Sequence, residues 1–203
     1  MSIQGLFSTP VGAYKLDRNF SLNEKKAVDL CLQDLTNNIG NKFSKNTSVL
    51  NIPELCDIRD FCEESLKQFN TEIYGETKTQ FRITQSWLNI SEVNQFHHKH
   101  RHPNSYISGV LYVETSEDDK INFYNPSVRP NYYQEQPTMF NQFNSSVWWL
   151  PATEGLLYLF HSDLEHEVPP VTSKKRISLS FNTFFDSDFG SEIFLTHLPI
   201  KGK

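Results

Sequence analysis

Cysteine is scarce in this chain: three residues, Cys31, Cys56 and Cys62, all in the first third. An odd number so placed supplies neither a disulfide framework nor a four-cysteine zinc site, and it predicts a reducing, cytoplasmic setting. Basic residues are also few. With 19 Lys and Arg against 24 Asp and Glu, a net charge of −5 and no Lys/Arg-rich tract, the chain lacks the basic face that nucleic-acid backbone demands. No apolar run approaches the ~20 residues of a membrane span. The first seven residues have neither the basic start nor the apolar stretch of a secretion signal. Aromatics, in contrast, are plentiful: 16 Phe, 8 Tyr and 3 Trp, each able to bury a large area. At 203 residues the expectation is one domain, since a domain of this size hides roughly 70% of its unfolded surface.

The first third reads as helical. Ser21 with Glu24 three positions on is a capping box, and apolar residues then fall at helical spacing as far as Ile39. Gly40 sits where a C-cap glycine is expected, so the predicted helix covers 21–39. A second helix is expected from Asn51, with Pro53 in its first turn and a stripe running through Leu55, Ile58, Cys62, Leu66 and Phe69. Ahead of both, 6–16 reads as a short edge strand bent at Pro10 and Gly12. From Thr79 the period becomes two, with Trp87 and Asn89 on one face. Further strands are expected over 106–114, 120–124, 147–150, 155–160, 165–168 and 175–185. Strands of this length and spacing indicate a sandwich or barrel. The polar segment 127–146 is the expected lid, carrying Arg129, Tyr132 and Tyr133, while Glu117-Asp118-Asp119 reads as a solvated turn. Trp148 and Trp149 read as core or edge packing, or more sharply as a substrate platform.

Four of the seven histidines lie within six residues, at His97, His98, His100 and His102. In an extended strand His98, His100 and His102 share a face, and imidazoles at i and i+2 can converge on one ion. Imidazole suits iron, zinc, copper and nickel alike, so spacing leaves the metal open. A solvated cationic loop is the plain alternative. A third ligand has to come from elsewhere, and His166 follows the strand 155–160. Ten positions beyond His166, Arg176 opens a strand with Arg176, Ser178 and Ser180 on one face and Ile177, Leu179 and Phe181 on the other. Arg and Ser opposite so apolar a face suit the wall of a cavity that holds a carboxylate.

These blocks together resemble the 2-oxoglutarate- and Fe(II)-dependent oxygenases, prolyl-hydroxylase-like enzymes with a double-stranded β-helix, or jelly-roll, core. The closest resemblance is to an oxygenase family common in tailed phages of marine cyanobacteria. It rests on Ser86-Trp87-Leu88-Asn89, on His100-Arg101-His102-Pro103 through Ser108-Gly109-Val110-Leu111-Tyr112, on 155–160, and on His166 through Asn182. The resemblance implies a mainly β fold, with an N-terminal strand and helices over 1–78 covering one face of a jelly-roll core over 79–203. It also implies Fe(II) on His100, His102 and His166, with 2-oxoglutarate held by Arg176 and Ser178 and further contacted by Asn89 and Tyr112.

His102 departs from the pattern, standing where the superfamily has Asp or Glu; either it ligates or it leaves a site for water. A frame with His98 and His100 as the pair is the other option. The implied activity is an oxidoreductase, a dioxygenase that couples O2 and 2-oxoglutarate to hydroxylation of a small molecule or protein side chain, releasing succinate and CO2. Host cytoplasm is the implied location if the chain is phage-encoded. Two alternatives stay open: a cupin-like dioxygenase with an all-histidine site and no 2-oxoglutarate, and a non-enzymatic metal-binding jelly roll.

Overall fold

The computed structural model describes residues 5–76, 80–126, 137–172 and 174–200. β1 (Val11–Lys15) and α1 (Leu22–Cys31) are followed by a small hairpin, β2 (Leu35–Asn37) and β3 (Lys42–Ser44). Two short 3-10 turns lead into α2 (Cys56–Tyr74). Eight strands then build the core: β4 (Phe81–Ser91), β5 (His97–His100), β6 (Ile107–Glu114), β7 (Lys120–Tyr124), β8 (Val147–Pro151), β9 (Leu156–His161), β10 (His166–Val168) and β11 (Arg176–Phe185).

These pair antiparallel into two sheets, ordered β1-β9-β6-β11-β4-β3-β2 and β5-β10-β7-β8. Apart from the β7–β8 step, each successive strand from β4 onward crosses to the other sheet, which is the jelly-roll connectivity the resemblance implies. β1 extends the large sheet at one edge and the β2–β3 hairpin at the other.

Side-chain alternation divides the core in two. Odd-numbered residues of β11 and β6, among them Leu179, Phe181 and Leu111, pack with Ile58, Cys62, Leu66 and Phe69 of α2 on the outer face of the large sheet. Even-numbered ones point between the sheets, where Tyr112 and Val110 meet Phe123, Tyr158 and Phe160. Each such fully buried large apolar side chain contributes about 1.5–3 kcal/mol relative to exposure. Gly109 lies on the helix-facing side, and a Cβ there would collide with the Phe181 ring, so glycine lets the two strands' residues interlock.

The predicted first helix is corrected in length. The Ser21/Glu24 capping box forms, with Glu24 also held by Arg18, but the helix stops at Cys31. Leu35 and Thr36 go into β2 instead, where the hairpin gains an edge of the large sheet. Gly40 is not a helix cap. It takes a left-handed φ of +88° in the hairpin turn, where a Cβ would stand 2.6 Å from the Phe96 carbonyl oxygen. Its own carbonyl accepts from Phe96 N at 3.0 Å, which docks the hairpin against the chain entering β5.

Candidate metal and co-substrate site

The inner wall of the large sheet is polar, and strand register says why. Arg176, Ser178 and Ser180 of β11 stand opposite Ser91, Asn89 and Trp87 of β4, while Ser178 and Ser180 stand opposite Tyr112 and Val110 of β6. All three β11 residues are buried, so this face lines an interior and not solvent. Facing it, the small sheet brings His100 directly opposite His166. One extra residue in β5, between the pairs His100–His166 and His97–Val168, breaks the simple alternation. His97, expected on the far face, therefore lines the same cavity and stacks on His100 at a centroid distance of 4.3 Å. Beyond the end of β5, His102 N donates to Ser162 O at 2.9 Å, which turns the His102 ring inward.

His100, His102 and His166 form a group whose ligating nitrogens lie within 4.8 Å of one another. Each ring is fixed through Nδ1: His100 on His98 O at 2.7 Å, His102 on Asn182 Oδ1 at 2.8 Å, and His166 on Leu164 O at 2.9 Å. Since all three acceptors are oxygens, each Nδ1 carries the proton and each Nε2 presents a lone pair. Nε2 of His102 and Nε2 of His166 are 3.3 Å apart. Two lone pairs at that distance repel unless a cation lies between them. The spacing is close to the roughly 3 Å edge between adjacent nitrogens held about 2.1 Å from one ion. The donor set thus fits a divalent metal.

Burial keeps these rings neutral. It lowers His102 to about 4 and His97 to about 3, with the neighbouring His100 as the next cause in each case. His100 and His166 are lowered too, burial again being the first cause. His97 Nε2 accepts from Asn38 Nδ2 at 3.2 Å, so the β2–β3 hairpin supplies its partner.

The large-sheet wall carries two buried polar atoms without a partner, Tyr112 Oη and Asn89 Oδ1. Asn89 donates one amide hydrogen to Ser180 Oγ at 3.0 Å, and burial pushes the Tyr112 phenol up, so Tyr112 stays a donor. These walls enclose a cavity lined by Trp87, Asn89, His100, His102, His166 and Ser178, among others. Arg176 is not free. Its Nη1 donates to Asp119 Oδ1 at 3.0 Å and its Nη2 to Ser91 Oγ at 3.4 Å. The reading of Glu117-Asp118-Asp119 as a wholly solvated turn is thereby corrected: Glu117 and Asp118 are exposed, but Asp119 turns inward and is buried.

Sequence reasoning missed three further residues of the site. Trp87 stacks on His102 with centroids 6.0 Å apart, and its signals were a shared face with Asn89 and a place in the 86–89 block. Asn182, which holds His102 and also accepts from Ser108 Oγ at 3.1 Å, continues the 176-178-180 face by one step. Asp119 gave no signal beyond its charge. Trp148 and Trp149 are exposed on the edge strand β8. Arg129, Tyr132 and Tyr133, named for the lid, lie outside the described residues.

Residues 85–182 match the family model described as "Putative 2OG-Fe(II) oxygenase". That stretch runs from β4 to β11 and includes all of the expected site residues. Fe(II) and 2-oxoglutarate are the cofactors this match assigns to the chain. Solved oxygenase structures share the fold across most of the chain. A 2OG-Fe(II) oxygenase family oxidoreductase from Burkholderia pseudomallei is 16% identical, covering 85% of this chain and 84% of its own, with a TM-score of 0.56. A Pseudomonas putida prolyl-4-hydroxylase is 13% identical, covering 88% and 92%, at 0.55. The epimerase SnoN, in complex with Fe3+, alpha ketoglutarate and nogalamycin RO, is 11% identical, covering 96% and 88%, at 0.62. No curated protein matches the sequence. The oxygenase match does not favour the cupin-like or non-enzymatic alternatives, and it does not reach the phage subfamily. Among the described residues no helix is long and apolar enough to cross a membrane.

Proposed function

We propose that the protein is an Fe(II)- and 2-oxoglutarate-dependent dioxygenase that hydroxylates a small molecule or a protein side chain. The observation that carries this reading is the convergence of three Nδ1-tethered imidazoles on a cavity whose opposite wall holds buried Arg176, ten residues after His166. His100, His102 and His166 would hold the iron through Nε2. His102 is assigned as a ligand because Asn182 fixes its ring with Nε2 toward His166. Arg176 and Ser178, with the unpartnered Tyr112 hydroxyl, would meet the distal carboxylate, and Asn89 would border it. The bound pair would supply the oxidant, as O2 is consumed, the co-substrate is decarboxylated to succinate and CO2, and an oxygen atom goes to a substrate C–H.

The chain's own contribution is orientation and dryness. The Nδ1 tethers hold the rings without reorganisation, and Phe160, packed edge-on to His166 at 4.7 Å, screens the ligand from water. Trp87, half-buried beside His102, is placed to touch whatever substrate is presented to the metal.

The test is anaerobic addition of Fe(II) and then 2-oxoglutarate, followed by visible absorption. A charge-transfer band that saturates with 2-oxoglutarate, and is lost in His166→Ala, is expected. A protein that binds iron but develops no band would overturn the reading. His102→Ala tests the third ligand: a weakening of iron affinity by tenfold or more is expected, and unchanged affinity would remove His102 from the set.

A further inference from the structure

Asp119 is a buried charge for which the oxygenase reading has no use. Its Oδ2 accepts from Ser116 N at 2.8 Å and closes the turn between β6 and β7. Its Oδ1 holds Arg176, and the two side chains are only 3% and 4% exposed. Desolvating two such groups costs several kcal/mol, and an apolar pair often gives equal or better stability. An interior ion pair one strand from a metal site is therefore a poor stabilising device, and its charge is the feature that calls for an explanation.

The charges in and beside the cavity can be summed. Arg176, one step beyond Ser178 on the same strand face, contributes +1 and its partner Asp119 −1, the ligand imidazoles are neutral, and the lining residues Asn89, Tyr112, Ser178 and Ser180 carry none. A divalent ion then sets the cavity at about +2, and 2-oxoglutarate brings two negative charges. Were Asp119 neutral the sum would be about +3; were a carboxylate to stand in place of His102 it would be about +1.

We propose that Asp119 neutralises Arg176 and so sets the charge of the cavity, so that an all-histidine metal site is matched to a dianionic co-substrate. The negative charge that a carboxylate at position 102 would bring to the metal sits instead at the arginine. Asp119 and His102 form a compensating pair across the cavity without touching. This rests on the function proposed above.

The test is a double-mutant cycle on 2-oxoglutarate affinity, read from the charge-transfer band of the anaerobic Fe(II)-loaded protein. Asp119→Asn keeps an oxygen for the turn and removes the charge together with the acceptor that Arg176 uses. His102→Asp alone is expected to weaken 2-oxoglutarate about tenfold, as one unit of attraction is lost across the cavity. Adding Asp119→Asn to it is expected to restore affinity to within about threefold of the wild type. Asp119→Asn alone is expected to tighten 2-oxoglutarate about tenfold, as one unit of attraction is gained. A double variant as weak as His102→Asp, or weaker, would show that Asp119 serves only the turn, and would overturn the proposal. A wild-type protein that forms no 2-oxoglutarate complex would overturn both this proposal and the function beneath it. A second readout is thermal: the melting point of folded, Fe(II)-loaded Asp119→Asn is expected to rise more with added succinate, a dianion, than that of the wild type. Equal rises would also overturn the proposal.

Discussion

Asn182 fixes the His102 ring by a single hydrogen bond. Its Oδ1 accepts from His102 Nδ1 and from Ser108 Oγ, so loss of the amide frees the ring and removes an acceptor that favours lone-pair presentation at Nε2. Asn182→Ala is expected to weaken metal binding about 10–100-fold, measured by competition with a chromophoric chelator, while the fold persists. Gly109 marks the other kind of residue constraint. Because its Cβ would strike the Phe181 ring on a fully packed face, Gly109→Ala is expected to destabilise the protein by about 1–3 kcal/mol in chemical denaturation. Ser178 and Ser180 were readable as cavity residues, since Arg and Ser in alternation with Ile, Leu and Phe fit few other surroundings. Asp119 was not readable. Acidic runs in turns are ordinarily solvated, and only the Arg176 partner, 57 positions away, draws one of the three inward.

At the scale of elements, local signals and tertiary contacts divide the chain differently. The capping box starts α1 as expected, and Ser21→Ala is expected to cost about 1 kcal/mol, seen as a lower denaturation midpoint. The end of α1 was not legible. Leu32, Leu35 and Ile39 continue the apolar spacing, but the open edge of β4 recruits 35–44 as a hairpin and overrides it. The core strands other than β5 were legible to within a residue or two, because alternation and turn residues act locally. The bulge in β5 was not, since it exists only in the pairing with β10. It brings His97 into the cavity, where Asn38 meets it from the hairpin, next to the contact of Gly40 with Phe96. Gly40→Ala is expected to push the hairpin off Phe96 and destabilise the fold, with the β5 amides losing hydrogen-exchange protection.

For the whole molecule, the buried imidazoles govern pH dependence. His102 titrates at about 4 and His97 at about 3 in the folded protein, against 6.5 for an exposed ring. Below pH ~6.5 the unfolded chain takes up protons that the native state refuses, so stability rises with pH through this window. The metal-free protein is expected to hold its melting temperature above about pH 7 and to lose it steadily as pH falls from 6.5 toward 4. A flat profile there would mean that the rings are solvated. A divalent ion adds stability by mass action, about 2.7 kcal/mol at a hundred times its dissociation constant, and a chelator should abolish the gain.

Composition and periodicity by themselves determined that this chain builds a β core under N-terminal helices. The ordered blocks around His100, Tyr112, His166 and Arg176 pointed to the oxygenase resemblance and to the residues of its site. Those are properties of neighbouring residues, which a linear reading can reach. Only the tertiary structure decided what meets across the sheets: Asn182 on His102, Trp87 over it, His97 beside His100 and Asp119 on Arg176. Each of these depends on strand register or on a contact between segments far apart in sequence, and burial then sets the charge and protonation that the chemistry needs.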